Sequence, residues 1–129
     1  MQRAEIMNVT RGEVLHAAPV WARTAWQQAR GFMWSVPGDR AIIFPFLPAR
    51  RVALHMWFVF GPIDVVALDG KGMVVAIAER FRPWSWWRAP CAVSAIIELP
   101  AGTVARTATA VGDRVALPAF TIRERGRQT

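Results

Sequence analysis

The run LHMWFVFGPIDVVALD, Leu54 to Asp69, is the longest weakly charged stretch of the chain. Its apolar residues occupy both alternating sets of positions before the Gly61-Pro62 pair. A strand that is apolar on both faces is normally a central one, because other layers cover it above and below. We therefore expect this run to provide the central strand of the fold.

The chain has the composition of one folded domain. It contains 129 residues, of which 53% are hydrophobic and 19% charged, which excludes a disordered chain. A chain of this length buries about two-thirds of the surface that it exposes when unfolded. The uncharged segment 52–63 is too short for a transmembrane helix, since a span needs roughly 18 or more apolar residues.

The charged N-terminus indicates a cytoplasmic protein. Arg3, Glu5, Arg11 and Glu13 leave no room for the hydrophobic core of a secretory signal. The single cysteine, Cys91, excludes an intramolecular disulfide and a multi-cysteine metal site. A lone cysteine among apolar neighbours is typical of a small buried residue, so we expect Cys91 to be buried.

The net charge of +7 comes from fifteen arginines and one lysine against nine acidic residues. Such an excess allows contact with nucleic acid, anionic lipid or acidic ligands. Most of the arginines are scattered, and Arg123, Arg125 and Arg127 form the only longer run. Because a nucleic-acid interface needs clustering on one face, this run is interpreted as a basic, solvated tail at 121–129.

The spacing of aromatic and small residues predicts a helix near the N-terminus. Pro19 suits its first turn and Gly31 its end. The positions that repeat at helical spacing are Trp21, Ala22, Ala25, Trp26 and Ala29. We interpret the two tryptophans as residues that dock this helix on a sheet, with a ligand-binding role as the alternative.

Elsewhere the pattern predicts short strands separated by turns rich in glycine and proline. Strands are expected over 10–16, 41–44, 73–80, 94–99 and 115–117, and a short helical turn over 103–106. The sequence Asp69-Gly70-Lys71-Gly72 predicts a hairpin. Many short strands with one helix indicate a mainly β fold, as a compact antiparallel β-sandwich or a small barrel.

Four blocks of sequence carry a resemblance to a known family. They are ARGFM at Ala29–Met33, HMWFVFGPIDVVALD at His55–Asp69, RPW at Arg82–Trp84 and IELPAGTVARTATAVGDRV at Ile97–Val115. Together they resemble the prokaryotic family called domain of unknown function 192. The resemblance implies a compact β-rich domain with a small helix, and it implies no agreed activity.

The resemblance also implies the branch and the extent of the domain. Trp57, Phe58 and Val59 stand where bacterial members have lysine, asparagine and threonine. This apolar version, with the RPW segment, resembles the archaeal cytoplasmic branch. We expect a single domain over 1–129 with a family-like core at 11–117.

His55 and Asp64 form a conditional catalytic pair. If Gly61-Pro62 makes a two-residue hairpin turn, both side chains lie on one face, and a three-residue loop would reverse this. A histidine and a carboxylate on a hydrophobic face can act as base and orienter in a hydrolase or isomerase. The alternative is that Asp64 accepts backbone N–H groups at the turn and His55 is a core residue with its own partner.

The segment after Arg82 is the candidate ligand-binding site, and Pro83 and Pro90 predict a loop over 83–90. Aromatic faces interleaved with guanidinium groups can stack on sugars or unpaired bases while the arginines hold phosphate. Alternatively, the tryptophans cover one open end of the sandwich, a role favoured for Trp84. The candidate residues are Arg82, Trp84, Trp86, Trp87 and Arg88.

The remaining acidic residues suggest no catalytic chemistry. Glu79 and Glu98 lie in predicted strands, and Asp113 is interpreted as stabilising the turn at Gly112. No metal and no cofactor is predicted. The leading hypothesis is a non-catalytic binding module for a small or anionic ligand or a protein partner. The alternative is an enzyme using His55 and Asp64, and nucleic-acid binding through net charge is a weaker one.

Overall fold

The computed structural model describes residues 4–22, 38–55 and 61–119, with the backbone alone at residues 54 and 55. These residues contain ten strands and one short helix. The strands are β1 (Ile6–Asn8), β2 (Glu13–His16), β3 (Val20–Trp21), β4 (Ile42–Arg50), β5 (Ala53–His55), β6 (Ile63–Leu68), β7 (Val74–Phe81), β8 (Trp86–Arg88), β9 (Val93–Pro100) and β10 (Val115–Ala116). The helix, α1, spans Thr103–Thr107.

The described strands form three open sheets. A five-stranded sheet has the order β3-β4-β9-β6-β7, a three-stranded sheet has the order β10-β1-β2, and β5 and β8 form a two-stranded ribbon. All pairings are antiparallel except that of β3 with β4. The mainly β, sandwich-like prediction is therefore confirmed, and the described strands do not close into a small barrel.

The core lies on both faces of the five-stranded sheet. One face, here called the ribbon face, packs against Val52 and Trp87 of the ribbon segment. Its buried apolar residues are Ala22, Phe44, Phe46, Ile63, Val65, Ala67, Ala76, Phe81, Ala89, Val93 and Ile96. The opposite face, the helix face, packs against the three-stranded sheet and α1. Its cluster comprises Ile6, Leu15, Ala41, Ile43, Val66, Leu68, Val74, Ala95, Ile97, Leu99, Val104 and Val115.

The central strand is shorter than the sequence suggested. Strand β6 is buried at all six positions, because β9 and β7 flank it and apolar residues cover both of its faces. The run 54–69 does not continue as one strand, since Pro62 lacks an amide hydrogen for the sheet. Strand β5 instead belongs to the ribbon, and residues 56–60 lie outside the described residues.

The predicted placement of a helix near the N-terminus is not supported. Trp21, its expected first apolar residue, lies in β3 opposite Ile43. The amides of Val20 and Ala22 donate to the carbonyls of Ala41 and Ile43, at 3.0 and 2.8 Å. These hydrogen bonds place residues 20–22 beside β4 in the sheet, where a helix cannot form. Residues 23–30 lie outside the described residues, and the helical turn predicted after Gly102 is confirmed as α1.

The predicted hairpin between β6 and β7 is confirmed. Asp69 Oδ1 accepts the N–H groups of Lys71 and Met73, both at 2.9 Å. Gly72 has a φ of 81°, a value that glycine adopts at little cost. The strands expected near 10–16, 41–44, 73–80, 94–99 and 115–117 correspond to β2, β4, β7, β9 and β10. The basic tail at 121–129 lies outside the described residues.

Candidate functional site

The ribbon separates three of the candidate residues by strand alternation. Strand β8 pairs with β5 so that Trp86, Trp87 and Arg88 lie opposite His55, Leu54 and Ala53. Successive side chains of a strand point to opposite faces. Trp87 therefore packs on the ribbon-face core, whereas Trp86 is 71% exposed and Arg88 is exposed beside it.

The turn before β8 adds two further exposed side chains. The amide of Ser85 donates to the carbonyl of Arg82 at 3.3 Å. Within this turn Trp84 has a φ of 66° and is 59% exposed, and Arg82 is exposed. We call Arg82, Trp84, Trp86 and Arg88 the ribbon surface. The prediction of a loop over 83–90 is wrong at 86–88, because these residues pair with β5.

Two hydrogen bonds extend the pairing of β5 with β8 at the end of the ribbon. The amide of Ala89 donates to the carbonyl of Val52 at 2.8 Å, and Arg51 Nε donates to the carbonyl of Ala89 at 2.8 Å. Ala89 is itself fully buried. The exposed indole of Trp86 is thus carried by a strand that pairs with β5 and is followed by a buried residue.

Asp64 is fully buried and has both oxygens engaged. Oδ1 accepts the amide of Arg80 at 2.9 Å, where the pairing of β6 with β7 is irregular. Oδ2 accepts the amide of Val104 at 2.8 Å. Gly102, at the N-terminal cap of α1, has no side chain to accept a hydrogen bond, so Asp64 caps this helix from β6.

The position of Asp64 bears on its proposed partnership with His55. Asp64 alternates with Val65 and therefore projects toward the helix face, where it meets α1. The backbone of His55 lies in the ribbon, opposite Trp86, and the side chain of His55 lies outside the described atoms. The His55–Asp64 pair stays a prediction.

Glu98 has an environment that the sequence reasoning missed. It lies in β9 between Ile42 of β4 and Val65 of β6, on the ribbon face, and is only 6% exposed. Its carboxyl group makes no hydrogen bond within the described part of the chain. Burial raises the pKa of Glu98 to about 8. The available signal was an acidic residue within the apolar strand AIIEL, because a strand covered on both faces has no solvated side.

The carboxylate of Asp113, unlike the carboxyl group of Glu98, has several hydrogen-bond donors around it. Its carboxylate accepts hydrogen bonds from Arg11 Nε at 2.9 Å and from Asn8 Nδ2 and the amide of Ala110 at 3.0 Å. The hydrogen bonds from Arg11 and Asn8 lower the pKa of Asp113 to about 2. This arrangement joins β1 to the turn before β10, in agreement with the structural role predicted for Asp113.

A cleft of about 560 Å³ was also not foreseen. Segments distant in sequence line it, from β2, the turn after β2, residues 39–42 and α1, so local patterns do not predict it.

Cys91, expected to be buried, is exposed, because it lies in the turn between β8 and β9. Within the described ranges, no three His, Cys, Asp or Glu side chains are grouped to hold a metal ion. No helix of these ranges is long and apolar enough to span a membrane.

Comparison with known proteins agrees with this architecture. Residues 7–117 match the family model of domain of unknown function 192, described as "Uncharacterized ACR". A UPF0127 protein of Thermococcus sibiricus is 30% identical over 113 residues, which cover 85% of this chain and 72% of the relative. A UPF0127 protein of Pyrococcus abyssi is 34% identical over 90 residues, covering 69% of this chain and 76% of the relative.

Two crystal structures share the fold, each with a TM-score of 0.74 and 26% identity over 87% of this chain. One is a protein of Sinorhizobium meliloti that has been proposed as a transcription regulator, of which 89% is covered. The other is a protein of unknown function from Novosphingobium aromaticivorans, of which 81% is covered.

Proposed function

This chain belongs to the family of domain of unknown function 192, and on that premise we propose that it is a non-catalytic binding module. Its ligand is a small anion with a planar ring, held on the ribbon surface. The observation that carries the proposal is the 71% exposure of Trp86 beside Trp87, which packs on the core. Two adjacent tryptophans of one strand thus have separate roles, one in stability and one in contact with solvent.

The chemistry of the ribbon surface supports this ligand class. An exposed indole offers a flat apolar face, and stacking of a nucleobase on an aromatic side chain contributes about 1–3 kcal/mol. Arg82 and Arg88 flank the exposed indoles along the chain and are themselves exposed. A guanidinium group donates several hydrogen bonds to phosphate or carboxylate oxygens. The ring and the charge of one small ligand therefore find complementary groups on the same surface.

The other hypotheses have less support. Both oxygens of Asp64 already accept backbone hydrogen bonds, which gives no support to a hydrolase or isomerase using Asp64 as the orienter of His55. A protein partner would use the same aromatic surface, and so would a single-stranded nucleic acid, which is an outcome of the test below. We also propose a cytoplasmic setting and a single domain over 1–129. The exposed thiol of Cys91 supports the cytoplasmic setting, because a reducing compartment preserves free thiols.

The test is calorimetric titration with adenosine monophosphate, adenosine and inorganic phosphate as probes. We expect adenosine monophosphate to bind more tightly than either of the other two, which lack the charge or the ring. Trp86→Ala should weaken its binding at least tenfold without lowering the melting temperature. Val111→Ala, which shortens another exposed apolar side chain (63% exposed), is the matched control and should leave binding unchanged.

Two results would count against the proposal. Equal affinities in the wild type and Trp86→Ala would remove the ribbon surface as the binding site. Tight binding of a single-stranded oligonucleotide, falling steeply with salt while the mononucleotide does not bind, would assign the surface to nucleic acid instead.

A further inference from the structure

The 560 Å³ cleft lies where the edges of the two main sheets meet. Strand β2 is at the edge of the three-stranded sheet, and β3 is at the edge of the five-stranded sheet among the described strands. The turn between β2 and β3 forms one wall, and residues 39–42 form the other. Pockets of about 300–1,000 Å³ are typical of small-molecule sites, so the cleft has the size of a binding site and is separate from the ribbon.

Most of the cleft wall is aliphatic. The apolar side chains that line it include Ala17, Ala18, Val20, Ala41 and Ile42. Val20 is 59% exposed although it belongs to a strand. The lining residues include no Phe, Tyr or Trp, which distinguishes the wall from the ribbon surface and favours an aliphatic ligand.

Arg106 of α1 places a positively charged group at this apolar wall. Its Nη2 atom donates to the carbonyls of Val14 and Leu15 at 3.3 and 3.2 Å, which holds the guanidinium group against β2. The N–H groups at Nε and Nη1 make no hydrogen bond to the described residues, so they can donate to a ligand. Because the side chain is already positioned, little conformational entropy is lost when a ligand binds.

The other polar groups of the cleft limit the charge of the ligand. His16 Nδ1 accepts the amide of Ala18 at 3.1 Å, and Nε2 lies 2.9 Å from the carbonyl oxygen of Asp39. With Nδ1 as the acceptor, Nε2 is the nitrogen that donates to the carbonyl of Asp39. Arg40, Arg106 and Asp39 line the cleft as well, and the side chain of Asp39 is 99% exposed. A single carboxylate complements the Nε and Nη1 donors of Arg106, whereas Asp39 disfavours a ligand with a second negative charge.

We propose that this cleft binds a small aliphatic monocarboxylate. The carboxylate accepts hydrogen bonds from Nε and Nη1 of Arg106, and Arg40 also lines the cleft. The aliphatic chain lies along the alanines and Val20. This site would take a different chemical class of ligand from that of the ribbon surface, and the two would bind independently.

The experiment is a titration followed by backbone amide chemical shifts, with sodium hexanoate as the probe. We expect saturable shifts at Ala17, Ala18 and Ala41. Hexan-1-ol, which has the chain without the charge, and inorganic phosphate, which has charge without the chain, should bind at least tenfold more weakly. Arg106→Gln should weaken hexanoate binding at least tenfold. Arg114→Gln, which removes the same charge from an exposed position outside the cleft, should change it less than twofold.

A second variant separates loss of binding from loss of folding. Arg106→Gln also removes the hydrogen bonds to β2, so Ala17→Phe is made in parallel. It fills the cleft from an exposed position of the turn while it retains both arginines, and it should abolish hexanoate binding. The proposal is overturned if hexanoate shows no saturable binding, if hexan-1-ol binds as tightly, or if folded Ala17→Phe retains wild-type affinity.

Discussion

Replacement of Glu98 by glutamine should make the protein more stable above neutral pH. Glu98 is 6% exposed and has Ile42 and Val65 as its cross-strand neighbours. In the native state at neutral pH its carboxyl group is held in the neutral form, because ionisation would place an uncompensated charge in the core. Glutamine has nearly the same shape and cannot ionise, so Glu98→Gln isolates the cost of that charge.

The size of the expected stability difference follows from the pKa of Glu98. Burial raises the pKa of Glu98 from 4.5 to about 8, so the native state keeps its proton to a higher pH than the unfolded chain. The stability that this proton contributes is fully present below about pH 4.5 and is lost as pH rises to about 8. At about 1.4 kcal/mol per pKa unit, the total loss is about 5 kcal/mol, of which about 3 kcal/mol has occurred at pH 7.

The assay is urea unfolding at pH 5, 6, 7, 8 and 9, with the free energy of unfolding compared between wild type and variant. The difference should be small at pH 5 and should grow by several kcal/mol in favour of Glu98→Gln up to about pH 8, then become constant. Glu79→Gln removes the same charge from an exposed position of β7 and should give a difference that hardly changes with pH. A difference between wild type and Glu98→Gln that is independent of pH from 5 to 9 would refute a buried, neutral Glu98.

Three further substitutions test how other parts of the fold are held together. Asp64→Ala leaves two backbone N–H groups without their acceptor and should lower the free energy of unfolding by about 2–4 kcal/mol in urea titration; a loss below about 0.5 kcal/mol would contradict the capping role. For Asp113, whose pKa is lowered to about 2 chiefly by Arg11, the associated stability is present above the ordinary value of 3.8 and is lost as pH falls toward 2. Arg11→Gln should therefore reduce the dependence of the melting temperature on pH between 5 and 2, and an unchanged acid profile would contradict this. Gly72→Ala would place a Cβ atom 2.8 Å from a backbone oxygen at a φ of 81°. It should lower the free energy of unfolding in urea titration by more than about 1 kcal/mol. Gly12→Ala, at a φ of 68° with open space around it, should lower the free energy of unfolding by less than Gly72→Ala does.

The amino-acid sequence by itself determined the features that depend on neighbouring residues. The hairpin at Asp69–Gly72 follows from local turn chemistry, since a carboxylate accepts nearby amides and a glycine tolerates positive φ. The β class follows from short apolar runs separated by glycine and proline. The family resemblance rests likewise on contiguous blocks such as the one at Ile97–Val115.

Only the tertiary structure decided the features that depend on which segments meet. Trp86 and Trp87 are indistinguishable in sequence, yet the pairing of β8 with β5 exposes one and packs the other on the core. The sequence shows Glu98 only as a strand residue, and its burial follows from the pairing of β9 with β4 and β6. The cleft around Arg106 exists only because α1 is placed beside β2. The physical reason is the same in each case: exposure, pKa and cavities depend on contacts between residues far apart in the chain, and a local pattern carries no information on those distances.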